Sequence, residues 1–140
     1  MSLEFFNGLS GTLAIELTEP TKNVANLSNQ SATATATITK VSFVPNVFED
    51  GDFRDLTDDE FDRVVLDLPV LNLRGLGDPV EHRAPNGKWF TVRDLVAAVG
   101  ETERSTRQQS QWFDGVDVHH IFFEGIHEGD DGVWEIYWGS

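Results

Sequence analysis

Four polar side chains near the end of the chain have types and spacing that could do chemistry. The segment 112–139 holds three of the four tryptophans, three of the four histidines and the only tyrosine. It is typical of two aromatic-rich strands, 116–124 and 133–139, joined by an acidic turn bracketed by glycine. Because side chains alternate between the two faces of a strand, one face would carry four polar groups that could act as an acid–base site or simply meet solvent. These are Asp117, His119, Glu135 and Tyr137.

The opposite face of the same two strands is predicted to point into the core. It carries Phe122 on the first strand and Trp134, Ile136 and Trp138 on the second. His120 lies on this face, so we expect a histidine enclosed by the core whose ring nitrogen bonds to the backbone.

The histidine spacing does not predict a metal site. His120, Glu124 and His127 do not form the His-Glu-x-x-His pattern, which needs a helix to bring both histidines to one face. Adjacent His119 and His120 point to opposite faces of a strand and are poor joint ligands. The chain has no cysteine, no Gly-x-Ser-x-Gly, no Walker loop and no Rossmann fingerprint. No metal and no cofactor are therefore expected.

The charge balance limits the possible partners. The chain has 24 acidic and 10 basic residues, a net charge of −14, which disfavours nucleic acid and anionic membranes. Solubility, a basic protein partner and a high-salt habitat all remain compatible with it. The low lysine content, limited to Lys22, Lys40 and Lys88, fits the last of these.

The acids are densest in the segment 49–62, where eight carboxylates accompany one base, Arg54. Asp50-Gly51-Asp52 is a hint of a calcium loop, but the remaining positions of an EF-hand are missing. Thr57 and Glu60 form a capping box that predicts a short helix over 58–63. We expect a partner-binding surface here, with two tryptophans as anchors. Its residues would be Glu49, Asp52, Asp55, Asp58, Asp59, Trp89 and Trp112.

The pattern of elements predicts one α+β domain over residues 1–140. An antiparallel sheet of five or six strands would use 12–19, 31–44, 64–73, 116–124 and 133–139, with 88–91 as a further candidate. One main helix over 91–107, capped by Thr91 and Asp94, would cover one face, and the aromatic hairpin would close the chain.

Finer expectations accompany this pattern. A bulge near Lys40 would reset the register of its strand. Pro69 would divide its strand in two or mark it as an edge strand, and Gly100 would end or kink the helix. Residues 3–6 read as a short strand or a hydrophobic flap. The core residues would be Leu13, Ile15, Ile38, Phe43, Val65, Leu66, Leu95, Val99, Phe122, Trp134, Ile136 and Trp138.

Two functions from different classes follow. The first is a small acidic cytoplasmic protein that binds a basic partner, such as an inhibitor or immunity-type protein against a toxin or nuclease. The second is a small enzyme or ligand-binding sheet pocket using Asp117, His119, Glu135 and Tyr137, with His82 or Arg83 reaching it from a loop. A third is a subunit of an assembly joined through Phe5, Phe6 and the terminal aromatics; the oligomeric state stays open. No signal peptide and no membrane span are expected.

Overall fold

A computed structural model describes residues 3–18, 37–107, 111–112, 115–116 and 120–139 of the chain. The helices are α1 (Leu3–Asn7), α2 (Asp58–Phe61) and α3 (Val92–Thr106). The strands are β1 (Ser10–Thr18), β2 (Thr37–Glu49), β3 (Asp52–Arg54), β4 (Val64–Leu66), β5 (Val70–Arg74), β6 (Val80–Arg83), β7 (Phe90–Thr91), β8 (Gln111–Trp112), β9 (Gly115–Val116), β10 (Phe122–Glu128) and β11 (Trp134–Gly139).

The main sheet has seven strands in the order β3-β2-β1-β10-β11-β5-β6. The α+β class and the single main helix are confirmed. The prediction of a purely antiparallel sheet of five or six strands is wrong, because β5 pairs with β11 in parallel and β6 adds a strand where none was predicted. Two further pairs, β4–β7 and β8–β9, stand outside the main sheet. None of the helices in the described ranges has the length and apolar character of a membrane span.

Helix α3 covers one face of the sheet, and its start is the one that the sequence predicts. The Thr91 side chain accepts from the Asp94 amide, and the Asp94 side chain accepts from the Thr91 amide. Val92, Leu95 and Val99 are fully buried. The helix runs on past Gly100 because its last turns also bury residues, Thr102, Glu103 and Thr106 among them.

An aromatic cluster fills the core beneath the helices. The ring centroid of Phe123 lies 5.2 Å from that of Phe6 and 4.9 Å from that of Phe43. Trp138 completes the cluster, with its ring 5.9 Å from the rings of both Phe43 and Phe123. These contacts join α1, β2, β10 and β11 on the inner face of the sheet.

A buried ion pair holds the end of α3 against this core. Glu103 and Arg107 are both fully buried, and the Arg107 Nε donates to Glu103 Oε1 at 2.5 Å. The indole Nε1 of Trp138 donates to the other carboxylate oxygen at 3.1 Å. Arg107 also donates to the backbone oxygen of His120 at 2.9 Å, and its guanidinium lies 5.5 Å from the Trp138 ring centroid. A Cβ on Gly75 would overlap the Glu103 carboxylate.

Several strand boundaries differ from the prediction for local reasons. Pro69 does divide its strand: β4 pairs with β7, and β5 joins the main sheet. The bulge near Lys40 is confirmed, because the pairing of β1 and β2 shifts between Glu16 and Leu17. Strand β2 then continues through Pro45 to Glu49, beyond the predicted end at 44. Residues 3–6 lie in the helix α1 rather than in a strand, and Phe6 is fully buried.

The predicted strand 116–124 is wrong in position and in face. Strand β10 begins only at Phe122, and Phe122 is 50 % exposed, whereas Phe123 is buried. Gly125 has a φ of 107°, and the pairing of β10 with β11 shifts between Phe123 and Ile126. This bulge lets Phe123 and Ile126 both point inward although they stand three positions apart.

The rest of the predicted core divides into three groups. Eight residues are buried: Leu13, Phe43, Val65, Leu66, Leu95, Val99, Ile136 and Trp138. Ile15 and Trp134 are partly buried against the core, and for Ile38 burial stays a prediction. The hairpin of β10 and β11 is confirmed as the C-terminal aromatic element.

Replacing Glu103 by leucine should destabilise the fold strongly, because Arg107 would remain buried without its carboxylate. We expect a loss of about 3–5 kcal/mol in the free energy of unfolding, measured by urea denaturation. The double variant Glu103→Leu/Arg107→Met should lose less than the single one, because both charges leave the core together.

The matched control is the exposed pair of Glu101 and Arg104 on the same helix. Glu101→Leu should change stability by about 0.5 kcal/mol or less. Equal losses for Glu101→Leu and Glu103→Leu would contradict a structural role for the buried pair.

Gly75→Ala should also destabilise the protein, by about 1–3 kcal/mol, because its methyl group needs the space of the Glu103 carboxylate. The control is Gly100→Ala, because a Cβ at Gly100 would lie 3.9 Å from the nearest atom. Gly132 cannot serve as the control, because its φ of 80° is strained for alanine. Gly100→Ala should stabilise the helix slightly. A neutral Gly75→Ala would show that the loop adjusts.

Candidate interaction surface

A tight hairpin shapes the acidic segment. Asp50 and Gly51 form its turn with φ angles of 56° and 80°, the left-handed values of a two-residue hairpin loop. The turn pairs Glu49 with Asp52 and Phe48 with Phe53, so the two phenyl rings meet on the outer face with centroids 4.9 Å apart. The Asp-Gly dipeptide was the sequence signal for this hairpin, and interpreting it only as an incomplete calcium loop missed the two aromatic residues beside it.

The single base of the segment is engaged by its own acids. Arg54 Nη1 donates to Glu60 Oε1 at 2.8 Å and Nη2 donates to Glu60 Oε2 at 3.0 Å, while Nε donates to Glu49 at 3.0 Å. This bidentate pair joins β3 to the first turn of α2. The hydrogen bonds from Arg54, aided by the Thr57 amide, lower the pKa of Glu60 to about 2, and those of Glu60 and Glu49 raise the pKa of Arg54.

The predicted acids all lie on the exposed side of this region. Glu49 and Asp52 flank the hairpin turn, Asp55 follows β3, and Asp58 and Asp59 occupy the first turn of α2. Among the residues that the structure describes, only Glu49 of these five forms an ion pair. We call Glu49, Asp52, Asp55, Asp58 and Asp59 the acidic surface.

The basic residues that could have neutralised this surface pair elsewhere. Arg74 contacts Glu135, and Arg83 contacts Glu81. Neither arginine of the segment 74–88 therefore neutralises the acidic segment. The acidic segment pairs with Arg54 and Arg93 instead. The guanidinium of Arg93 reaches Asp62 at 3.3 Å.

The two predicted tryptophan anchors lie outside the hairpin and the helix that carry the acidic surface. Trp89 is 37 % exposed and lies one residue before Phe90, which pairs with Leu66. Trp89 therefore lies near Leu66, the last residue of β4, whereas α2 precedes the first residue of β4. Trp112 lies in β8, which pairs only with β9, and its place in the binding surface stays a prediction.

The exposed aromatics nearest the acids are phenylalanines that the sequence prediction did not include. Phe48 and Phe53 are 60 % and 59 % exposed, and Val44 and Phe122 are 48 % and 50 % exposed. Thr12 stands opposite Val44 on one side and Phe122 on the other. These residues lie on the face of the sheet that α3 leaves open.

The alternative polar site is only partly described. Asp117 and His119 lie outside the described residues, so their meeting with the second strand stays a prediction. Glu135 and Tyr137 do share the outer face of β11, as the alternation predicts, but Glu135 is bonded by Arg74 at 3.1 Å and the Tyr137 ring stacks on His127 at 4.6 Å.

The loop residues proposed for that site lie elsewhere. His82 on β6 is within 2.7 Å of the Thr102 hydroxyl of α3, and burial lowers its pKa while the charge of Glu101 opposes this. Arg83 is exposed and paired with Glu81. His82 is thus a hydrogen-bonded histidine between sheet and helix.

No group of three potential metal ligands comes together within the described ranges. His120 is half-buried and follows no strand pattern, and its backbone oxygen accepts from Arg107. Glu124 and His127 are exposed on β10.

Comparison with family models, with curated proteins and with solved structures gives no match to this chain.

Removing Arg54 should raise the pKa of Glu60. In the wild type we expect a value of about 2, measured by NMR titration of the side-chain carboxyl, and in Arg54→Gln a return toward the ordinary range near 4.5. Because the folded-state pKa is depressed, the pair stabilises the protein above the unfolded pKa. That contribution is lost as the pH falls from about 5 to about 2, and Arg54→Gln should flatten this acid limb of the stability curve.

The control is Arg93→Gln, which removes the neighbouring exposed pair with Asp62. It should leave the Glu60 pKa unchanged. An ordinary Glu60 pKa in the wild type would contradict the bidentate geometry.

Proposed function

We propose that this protein is a small protein-binding module whose acidic surface binds a basic protein partner. One observation carries the proposal. The only base of the acidic segment is bound by Glu60 and Glu49, so four carboxylates, those of Asp52, Asp55, Asp58 and Asp59, face solvent with no ion pair among the described residues.

The charge of the whole chain supports the same proposal. A net charge of −14 produces a field that attracts a basic protein and raises its association rate, and salt weakens the field beyond about 10 Å. The densest part of this charge coincides with an exposed hairpin of fixed geometry. Specific binding needs such a fixed arrangement, whereas solubility needs only dispersed charge.

The specific form that we propose is a cytosolic inhibitor or immunity-type protein for a basic toxin or nuclease. Exposed carboxylates can occupy the sites at which such a partner binds phosphates, because both groups are anionic and accept hydrogen bonds from arginine and lysine. Trp89 and Trp112 remain proposed anchors at the margin of the contact. The enzymatic alternative is less well supported, because Glu135 is already held by Arg74.

Reversing two charges of the acidic surface should abolish capture of the partner. The baits are the wild type, Asp58→Lys/Asp59→Lys and a control with the same change of charge, Glu128→Lys/Asp130→Lys, at the end of β10 and in the turn that follows it. All four acids are exposed. We expect a basic protein to be captured from lysate of the source cells by the wild type and the control only.

The captured protein should then be titrated calorimetrically at low and high salt. We expect affinity to fall by about tenfold or more with salt and with Asp58→Lys/Asp59→Lys. An inhibitor should also suppress the catalytic activity of its partner. Affinity that is indifferent to salt and to the two reversed charges would refute the proposal, and loss of an activity in Glu135→Ala alone would favour the enzymatic alternative.

A further inference from the structure

A groove on the outer face of the sheet adjoins the acidic surface. Phe53 on β3 and Phe122 on β10 line its two sides, and Ser10, Thr12 and Asn46 on the intervening strands line its floor. Its volume is about 490 Å³, within the range of sites that take a small ligand or the side chains of a short peptide. We call it the aromatic groove.

Carboxylates neighbour both aromatic residues of the groove along their strands. At one end Asp52 precedes Phe53 in β3, and its Oδ1 accepts from the Phe53 backbone amide at 2.9 Å. At the other end Glu124 follows Phe122 by two residues and lies over Gly139, the cross-strand partner of Phe122. No lysine or arginine is among the residues that line it. The groove therefore has aromatic sides and no basic residue, and an acidic residue lies within two positions of each ring along the chain.

This combination matches the chemistry of arginine. A guanidinium is planar and weakly hydrated, so it stacks on an aromatic ring while its edge donates to a carboxylate. Rings elsewhere in the protein have such a partner already: the guanidinium carbon of Arg63 lies 4.2 Å from the Phe5 ring centroid, and that of Arg93 lies 4.9 Å from that of Phe61. Within the described ranges, Phe48, Phe53 and Phe122 have no arginine over their rings.

We propose that the aromatic groove seats arginine side chains of the basic partner, with one guanidinium stacked on Phe53 beside Asp52 and the segment running toward Phe122 and Glu124. The proposal rests on the proposed function and adds the residue type that the partner inserts. An apolar segment would desolvate the two carboxylates without pairing them. A second copy of this chain would bring two acidic surfaces together, and the net charge of −14 opposes that contact.

The test uses three short peptides with a Gly/Ser sequence that carry two arginines, two lysines or two citrullines. Citrulline keeps the planar shape of arginine and removes its charge. Amide NMR titration of the full chain should show that the arginine peptide shifts the signals of Thr12, Asn46, Phe53 and Phe122. We expect the citrulline peptide to bind about fivefold or more weakly, and the lysine peptide to bind more weakly than the arginine peptide.

The variants remove the aromatic faces and keep apolar side chains. Phe53→Leu and Phe122→Leu should each weaken binding of the arginine peptide by about threefold or more, whereas Leu76→Ala, at an exposed apolar side chain outside the groove, should not. Phe53 is 59 % exposed and Phe122 is 50 % exposed, so neither variant should change the fold or the amide spectrum elsewhere in the protein. Equal binding of arginine and citrulline, equal binding of arginine and lysine, or unchanged binding in Phe53→Leu would overturn the assignment.

The two proposals can fail separately. If Phe53→Leu/Phe122→Leu captures the basic partner as the wild type does while Asp58→Lys/Asp59→Lys does not, the proposed function stands and the groove assignment is wrong. If no basic partner is captured but the arginine peptide still binds the groove, the groove assignment stands and the partner is not the one proposed.

Discussion

The ion pair of Glu103 and Arg107 is the constraint on which the rest of the structure depends. Two charges that are fully removed from water cost several kcal/mol each, so they persist only with short hydrogen bonds around them. The hydrogen-bond partners come from separated parts of the chain, Trp138 on the last strand and the backbone of residue 120, and Gly75 leaves free the space that the Glu103 carboxylate occupies. One interaction thereby fixes the end of α3 against β11 and the β5 loop.

This arrangement also explains why one face of the sheet stays open. Helix α3 and the aromatic cluster around Phe123 and Trp138 take up the inner face, where the buried pair anchors them. The outer face at β3, β2, β1 and β10 has no covering helix among the described elements, and exposed phenylalanine and valine side chains lie there. Exposed apolar patches rimmed by polar residues are typical of surfaces that bind other molecules.

The features that could be predicted have signals within a few residues. Thr57 with Glu60 and Thr91 with Asp94 predicted both helix starts, and the bulge beside Lys40 and the break at Pro69 followed from strand chemistry. The parallel pairing of β5 with β11 could not be predicted, because it joins segments about sixty positions apart with no local signal. The inverted face of β10 depends on one bulge at Gly125, and a shift of one position moves Phe122 from core to solvent.

The candidate site shows the same division. The acids were predictable from composition, but their electrostatic state depends on the fold, because Arg54 reaches Glu60 only when β3 stands beside α2. The two arginines of the segment 74–88 pair instead with Glu135 on β11 and with Glu81 on β6. A protein that needed only solubility would gain nothing from keeping phenyl rings exposed beside uncompensated carboxylates, since exposed apolar area promotes association. The proposed cationic partner would account for the coexistence of both on one hairpin, because it would contact the rings and the carboxylates together.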